Sequence, residues 1–310
     1  MAQDMKIYVA GHCGMVGSAL VRTLQARGYT NLLTRTRAQL DLLDQQTVVH
    51  FLEHERPDYL FMAAAKVGGI QANNTYRGDF LYENLMIQCN LIHGAHRAGV
   101  QRLCFLGSSC IYPRDCPQPI REEYLLTGPL ERTNEPYAIA KIAGIKLCEN
   151  YNRQYDRHYV SVMPTNLYGP NDNYDLANSH VLPALIRKAH EAKVRGDAHL
   201  TVWGTGAPRR ELLFVDDLAE ACLFLMEKGV ESGLYNVGTG TDVTIRELAE
   251  TVMDVVGFPG RIEFDTTKPD GTPRKVLDVS RMEQLGWKAR VPLREGIVRA
   301  YEDFLRKQSA

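Results

Sequence analysis

The stretch "KIYVAGHCGMVGSALVRTLQARG", residues 6–28, decides the fold class. A short apolar strand leads into an amphipathic helix, and the loop between them has the spacing GxxGxxG at Gly11, Gly14 and Gly17. Glycines let a backbone turn tightly and approach a phosphate, while the first helical turn offers free N–H groups and a favourable dipole. This order favours a dinucleotide-binding site, although a tight turn without a ligand would show the same glycines.

The same alternation of strands and helices continues to about residue 169. Further strands are predicted at 31–37, 59–65, 101–109 and 159–169, and helices at 45–57, 79–99 and 136–155. This rhythm predicts an α/β fold with a doubly wound parallel sheet of the Rossmann type. After residue 168 the rhythm changes, which indicates a smaller C-terminal substrate domain. We expect an NADP-binding domain at 1–167 and about 210–240, and a substrate domain at about 168–209 and 241–310.

Composition excludes several classes of protein. Among 310 residues, 36 Lys and Arg face 37 Asp and Glu, so no overall field favours nucleic acid or an anionic membrane. No apolar run approaches the roughly 18 residues of a membrane span, and no signal peptide precedes the first strand. Seven cysteines without a CxxC pair favour reduced thiols and a cytoplasmic location. No His/Cys spacing predicts a metal site.

The end of the second predicted strand bears on the choice of cofactor. Enzymes that use NAD usually have an acidic residue there, but this chain has "TRTR" with Arg35 and Arg37. Two guanidinium groups could hold a 2′-phosphate through charge-assisted hydrogen bonds, which favours NADPH/NADP⁺ over NAD. The alternative is that both arginines only solvate the end of a strand.

A tyrosine and a lysine share one face of a predicted helix. In "EPYAIAK", Tyr137 and Lys141 are four residues apart. A nearby ammonium is expected to lower the pKa of the phenol, which suits Tyr137 to exchange a proton with a carbonyl or hydroxyl oxygen. Lys141 could also hold the ribose of the nicotinamide, and Ser108 ends the preceding strand.

With the glycine loop, Ser108, Tyr137 and Lys141, the chain resembles the extended short-chain dehydrogenase/reductase family, whose catalytic set is Ser, Tyr and Lys. Further blocks narrow the resemblance to its 3,5-epimerase/4-reductases that act on GDP-4-keto-6-deoxy-mannose: "AAAKVGGI", "NNTY", "LGSSCIYP", "EPYAIAKIAGIKLCE", "MPTNLYGP", "NSHV" and "KPDGTPRK". The resemblance implies NADPH as cofactor and a GDP-sugar as substrate.

The resemblance also assigns the base and the acid of the epimerisation to Cys110 and His180. Without it, Cys110 would be taken for a buried packing cysteine and His180 for a histidine at a helix start. A thiolate is a competent base near neutral pH only if its surroundings lower the thiol pKa. Ser108 and Tyr137 would polarise the C4 oxygen of the keto sugar.

The remaining site residues are also implied by the resemblance. The cofactor would contact Gly11, Gly14, Met15, Val16, Gly17, Arg35, Arg37, Leu106, Gly107, Lys141, Pro164, Asn166, Leu167 and His180. The substrate would contact Lys188, Trp203, Arg210 and Asp270, with Asp270 accepting sugar hydroxyls. The chain departs from the family at Cys13, where an arginine that helps to hold the 2′-phosphate is frequent, and at Lys188, where arginine is frequent.

Two other functions remain open at this stage. A nucleotide-sugar 4-epimerase with tightly bound NAD would need neither Cys110 nor His180, and a non-catalytic NADP-sensing protein would not need the Tyr–Lys pair. We also expect a homodimer through the helices at 79–99 and 136–155. The apolar positions Leu85, Ile92, Ile142 and Ile145 could form that interface, but they could equally be intramolecular core.

Overall fold

The computed structural model describes residues 1–176, 178–268 and 270–308. Its helices are α1 Met15–Ala26, α2 Gln45–Glu55, α3 Ile70–Thr75, α4 Arg77–Arg97, α5 Glu135–Tyr155, α6 Val181–Arg195, α7 Val215–Glu227, α8 Ile245–Val256, α9 Ser280–Leu285 and α10 Leu293–Gln308. Its strands are β1 Ile7–Ala10, β2 Leu32–Leu33, β3 Tyr59–Met62, β4 Arg102–Leu106, β5 His158–Pro164, β6 Asn166–Tyr168, β7 His199–Trp203, β8 Arg209–Arg210, β9 Leu212–Phe214, β10 Gly233–Val237, β11 Val243–Thr244, β12 Arg261–Asp265 and β13 Arg274–Lys275.

The central sheet has six parallel strands in the order β10-β5-β4-β3-β1-β2. The predicted fold class is therefore confirmed. β1 lies between β2 and β3, so the direction of strand addition reverses at this strand. In such sheets ligands bind in the crevice outside the carboxyl ends of the strands at this reversal. Both the glycine loop after β1 and the serine–cysteine turn after β4 follow these carboxyl ends.

The alternation along β1 explains why helices cover both faces of the sheet. Ile7 and Val9 pack with α1 and α7 on one face, whereas Tyr8 and Ala10 pack with α2, α4 and α5 on the other. A third apolar cluster joins α6, α8 and α10. Most of this cluster lies in the segments assigned to the substrate domain, but Leu212 and Phe214 come from the segment assigned to the cofactor domain. The division into two domains stays a prediction.

The predicted strands at 59–65 and 101–109 end three residues early, and the other two differ more from their predicted bounds. The strand at 31–37 comprises only β2, and the strand at 159–169 divides at Thr165 into β5 and β6. Thr165 still donates its N–H to the Val237 carbonyl at 3.1 Å, but β6 leaves the central sheet and pairs with β9. The break turns the chain toward the later segments.

Three of the four apolar positions considered for a dimer interface belong to the intramolecular core, which was the alternative left open. Ile92, Ile142 and Ile145 are buried in the cluster between the sheet and helices α2, α4 and α5, so they are intramolecular core rather than interface residues. Leu85 is half-buried. Within the described residues, no helix combines the length and the apolar character that crossing a membrane requires.

Candidate active site

The loop after β1 is built as a phosphate-binding turn. Gly11 has φ +85°, and a Cβ there would lie 2.7 Å from the backbone nitrogen of Ala64. A Cβ on Gly17 would overlap the carbonyl oxygen of Gly11, so the first turn of α1 packs directly on the loop. Gly14 caps α1 without a side-chain hydrogen bond, and the first turn of the helix has no acidic residue. The free N–H groups and the positive end of the helix dipole therefore fit a pyrophosphate.

The two arginines after β2 differ in their surroundings. The Arg35 guanidinium lies 3.2 Å from a Glu55 carboxylate oxygen and 5.2 Å from the centre of the Phe51 ring. Arg37 leaves 75% of its side chain exposed, and its nearest acidic partner, Asp41, is 4.0 Å away. Arg37 is therefore free to meet a 2′-phosphate, whereas Arg35 would first have to leave Glu55. These residues fit NADP(H), with Arg37 as the better placed of the two.

Ser108 and Cys110 lie on one tight turn at the carboxyl end of β4. The Ser108 hydroxyl oxygen accepts the Cys110 N–H at 3.4 Å and begins the 3₁₀ turn Ser109–Ile111. This use of its oxygen leaves the Ser108 O–H proton available to a ligand carbonyl. Cys110 is only 8% exposed. The turn thus places a hydroxyl donor and a nearly buried thiol two residues apart.

Lys141 is hydrogen-bonded to the carboxyl end of strand β4. It is 3% exposed, donates to the Leu106 carbonyl at 2.7 Å, and lies 5.7 Å from the centre of the Tyr137 ring. Burial lowers the pKa of Lys141 to about 8. Burial also raises the pKa of the Tyr137 phenol above its usual range, and a negative charge on Cys110 would raise it further. The net shift of the Tyr137 pKa is therefore upward, opposite to the direction expected from a nearby ammonium, because burial withdraws the phenol from water.

His180 is the N-cap residue of α6. Its imidazole makes no hydrogen bond to any part of the chain that the structure describes, so the backbone does not hold it. More than a third of the residue is exposed. Withdrawal from bulk water lowers the pKa of His180, and the Lys275 ammonium lowers it further. A weakly basic imidazole of this kind gives up a proton readily.

Burial has the largest influence on the pKa of the Cys110 thiol. It raises the pKa of the thiol, while Lys275, the Ser108 hydroxyl and Lys141 oppose that increase in this order. The lowered pKa that a free thiolate base would need is therefore not present in the protein without ligands. The two lysines nevertheless supply positive charge where a Cys110 thiolate would form.

The four residues expected to contact the substrate lie in the later segments. Trp203 is 62% exposed, and its ring centre lies 5.0 Å from the Lys188 ammonium and 5.5 Å from that of Lys268. Asp270 accepts both the N–H and the hydroxyl of Thr205, at 2.9 and 2.7 Å. Asp270 therefore shapes the loop beside Trp203 in addition to any contact with a sugar.

Arg210 is held by the same loop. Its guanidinium donates to the Arg209 and Thr272 carbonyls at 2.7 and 2.6 Å. One of its remaining nitrogens lies 2.7 Å from where a Cβ on Gly271 would stand. The charge of Arg210 thus stays fixed beside the loop that contains Asp270.

The other residues assigned to the cofactor follow β4 and β5. Gly107 donates its N–H to the Val162 carbonyl at 2.9 Å, and Pro164 is in register with Val237. Asn166 donates to the Glu211 carbonyl at 2.9 Å. Met15, Val16 and Leu167 are partly buried against the cluster on the α1 side of the sheet. Gly107, Pro164 and Asn166 lie at or just after the carboxyl ends of β4 and β5, whereas Lys188 lies in α6 and Trp203 ends β7.

Lys275 and Glu211 are two residues of the site that sequence reasoning missed. Lys275 lies in "KPDGTPRK", a block already noted for Asp270, and its charge acts on both Cys110 and His180. Glu211 is fully buried and accepts the N–H groups of Gly240 and Leu277 at 2.7 and 2.8 Å. A glutamate directly before the apolar strand β9 was the available signal for Glu211, whereas the polar segment around Lys275 gave no separate signal. Within the described ranges, no group of three or more His, Cys, Asp or Glu side chains is arranged to hold a metal ion.

Comparison with known proteins agrees with this geometry. A family model described as the NAD dependent epimerase/dehydratase family matches residues 7–238. The chain is 56% identical to GDP-L-fucose synthase of Escherichia coli K12 over 312 residues, covering 98% of this chain and 97% of that protein. It is 58% identical to GDP-L-fucose synthase 1 of Arabidopsis thaliana over 306 residues, covering 98% and 94%.

A solved structure is similar over the same extent. The GDP-L-fucose synthetase of Naegleria fowleri bound to NADP superimposes with a TM-score of 0.91 at 27% identity, covering 100% of this chain and 97% of that one. The predicted resemblance to the extended short-chain dehydrogenases/reductases is thus confirmed. The match over residues 7–238 and the identities above 50% over nearly the full length show that this chain belongs to the NAD dependent epimerase/dehydratase family.

Proposed function

We propose that the protein is a bifunctional NADPH-dependent 3,5-epimerase and 4-reductase that converts GDP-4-keto-6-deoxy-D-mannose to GDP-L-fucose. The observation that carries the proposal is the placement of Cys110 on the turn that begins with Ser108, beside Lys141 and Tyr137. A reductase needs only the hydroxyl, phenol and ammonium. A thiol among them adds a group that can move protons at the carbons next to the carbonyl.

The epimerisation uses the acidity of hydrogens next to a ketone. Cys110 removes the proton from C3 or C5 on one side of the sugar ring, and His180 delivers a proton from the other side. The Ser108 and Tyr137 hydroxyls donate hydrogen bonds to the C4 oxygen and stabilise the enolate charge. The positive charges of Lys275 and Lys141 favour the Cys110 thiolate, and the negative charge passes from sulfur to the enolate as the thiolate takes up the proton.

The reduction step uses Tyr137 and Lys141 together with the cofactor. NADPH, when bound, supplies the hydride to C4. Tyr137 gives its proton to the C4 oxygen, and its raised pKa keeps that proton on the phenol until it is needed. Lys141, fixed to the Leu106 carbonyl, is placed to hold the cofactor ribose and to stabilise the phenolate that remains.

Incubation with the GDP keto sugar and NADPH in D₂O tests the function. We expect a product with deuterium at C3 and C5, inverted configuration at both carbons, a reduced C4, and one NADPH consumed per sugar. Loss of absorbance at 340 nm together with mass and NMR spectra of the product reports all of these. Reduction without deuterium would show a simple 4-reductase, and deuterium-free interconversion at C4 without NADPH consumption would show a 4-epimerase.

We also propose that the protein is a cytoplasmic homodimer that pairs through α4 and α5. The support is a set of large apolar side chains left exposed on these helices, Tyr82, Ile139 and Tyr155. All seven cysteines are free thiols, which fits a reducing compartment. Light scattering should give twice the chain mass for the wild type, and a monomeric mass for the wild type would contradict this assembly.

A further inference from the structure

The segment that follows β3 is held by two buried asparagines. Asn84 of α4 is 2% exposed; it accepts the Lys66 N–H and donates to the Lys66 carbonyl, both at 3.0 Å. Asn73 of α3 is 6% exposed and donates to the Gly68 and Gly69 carbonyls at 2.7 and 3.0 Å. The two glycines lie in "AAAKVGGI" and Asn73 lies in "NNTY", two blocks for which the proposed chemistry has no use so far.

The end of this segment contacts the stretch of chain that leads to His180. The Gly69 N–H donates to the Asn178 carbonyl at 3.1 Å. The N–H groups of Asn178 and Ser179 both donate to the Asp175 carbonyl, at 3.1 and 2.7 Å, which forms a turn directly before His180. The His180 imidazole itself makes no hydrogen bond within the described part of the chain. Its position therefore depends on the backbone before it, and Gly69 contacts that backbone.

The contact at Gly69 leaves no room for a side chain. A Cβ there would lie 3.2 Å from the Asn178 carbonyl oxygen and 3.3 Å from the Ser179 carbonyl oxygen. Both distances are shorter than ordinary van der Waals contact, so an added methyl group would move the turn by a few tenths of an ångström. Gly69 has φ −65°, which residues with a Cβ also adopt. Glycine is therefore required at this position for the close approach and not for the backbone conformation.

We propose that Asn73 is a positioning residue that places His180 for proton delivery to the sugar. Asn73 holds the backbone at Gly69, and Gly69 supports the turn before His180. The inference rests on the proposed function, in which His180 is the acid of the epimerisation. Stability alone does not favour an asparagine here, because its Oδ1 is buried and accepts no hydrogen bond from the described residues. A misplacement of about 1 Å can slow a reaction about 10²-fold, so a smaller shift has a measurable effect.

Inversion of the keto sugar at C3 and C5 in D₂O gives the first test. The rate is counted per NADPH-binding site, so that a loss of folded protein does not lower it. In Gly69→Ala and in Asn73→Ala, kcat for formation of the inverted sugar should fall about tenfold at an unchanged KM, because only the position of the acid has changed.

Two matched variants serve as controls and should keep the wild-type kcat. Gly78→Ala adds a methyl group in the first turn of α4, where the structure describes no atom within 4 Å outside the helix backbone and the adjoining residues. Asn74→Ala removes an exposed amide from the same helix as Asn73.

Modification of His180 by diethyl pyrocarbonate gives the second test, in the protein without substrate or cofactor. Mass spectrometry of the digested chain compares His180 with His54 on α2, whose side chain is 76% exposed. In Asn73→Ala the ratio of the two rates should rise about threefold, because the turn before His180 is no longer held and opens more often to water.

A wild-type kcat for inversion in Gly69→Ala and Asn73→Ala, an equal fall in the two controls, or a raised KM at an unchanged kcat would overturn the proposal. A His180 to His54 ratio that stays at the wild-type value in Asn73→Ala would also overturn it. A raised ratio together with no inversion by the wild type would instead retain the role of Asn73 and contradict the proposed function.

Discussion

The phosphate loop and the Cys110–His180 pair are assembled in opposite ways. The loop and the first residues of α1 come from one consecutive stretch, 11–19, and what this stretch offers to a ligand is backbone N–H groups at the start of α1. Cys110 comes from the turn after β4, His180 from the start of α6, and Lys275 from strand β13. The loop is thus determined by local spacing, whereas the properties of the pair depend on burial and on charges from distant segments.

The largest effect on the free energy of unfolding is expected when the buried Lys141 is replaced. Burial lowers the Lys141 pKa from 10.5 to about 8, so the folded protein binds fewer protons than the unfolded chain between these values. Stability therefore rises with pH across this window, and below pH 8 the protein carries the full cost of charging Lys141. Lys141→Met should be more stable than the wild type by about 3 kcal/mol at pH 7, and this gain should vanish near pH 10.5.

Urea unfolding of both proteins at pH 7 and pH 10 measures this difference. The control is Lys146→Met on the same helix, because Lys146 is exposed and pairs with Glu149 at 2.9 Å. It should show no such pH-dependent gain. A Lys141→Met protein less stable than the wild type at pH 7 would mean that the hydrogen bond to Leu106 outweighs the cost of burial. In either case, Lys141→Met should lose reductase activity.

The next largest effect is expected in the phosphate loop, where the close approach of backbone atoms is tested by substitution of glycine. A Cβ on Gly17 overlaps the Gly11 carbonyl oxygen, whereas a Cβ on Gly14 meets the same oxygen at an ordinary 3.5 Å. Gly17→Ala should lower the free energy of unfolding without cofactor by about 2 kcal/mol. Gly14→Ala should change it by less than about 0.5 kcal/mol. Equal losses of stability in denaturant unfolding would show that the loop is not held by this close approach.

The smallest effect is expected on cofactor affinity, and it distinguishes Arg37 from Arg35. Arg37→Met should weaken NADPH binding about tenfold and leave NADH binding unchanged, because a charge-assisted hydrogen bond to the 2′-phosphate is lost. Arg35→Met should change the ratio of the two affinities less than Arg37→Met, since Arg35 is paired with Glu55. Fluorescence titration with both cofactors provides the measurement. A larger effect at Arg35 would mean that cofactor binding breaks its ion pair.

Elements whose pattern is local could be predicted from the sequence. The central sheet, the glycine loop and the i, i+4 placement of Tyr137 and Lys141 follow from periods of two and of 3.6 residues. The same rules could not decide whether Ile92 lies in a dimer interface or in the core, because an apolar residue on a helix is expected in either place. Only the packing against the sheet placed it in the core.

The site residues that depend on tertiary structure could not be predicted in the same way. The sequence shows that Tyr137 is near Lys141, but it does not show how much water either group loses, and that loss decides the pKa of the phenol. Lys275 is distant in sequence from Cys110, and only β13 brings its charge to the thiol. The ion pair of Arg35 with Glu55 likewise joins β2 to the end of α2, which spacing alone does not reveal.

The central claim is that Cys110 makes this protein an epimerase as well as a reductase. The measurement that tests it most directly is deuterium incorporation at C3 and C5 of the GDP keto sugar in D₂O, with wild type, Cys110→Ser and Tyr137→Phe compared. We predict that Cys110→Ser loses exchange by about 10²–10⁴-fold, while Tyr137→Phe loses reduction but retains measurable exchange, because Ser108 still donates a hydrogen bond to the C4 oxygen. Exchange at the wild-type rate in Cys110→Ser would contradict the account.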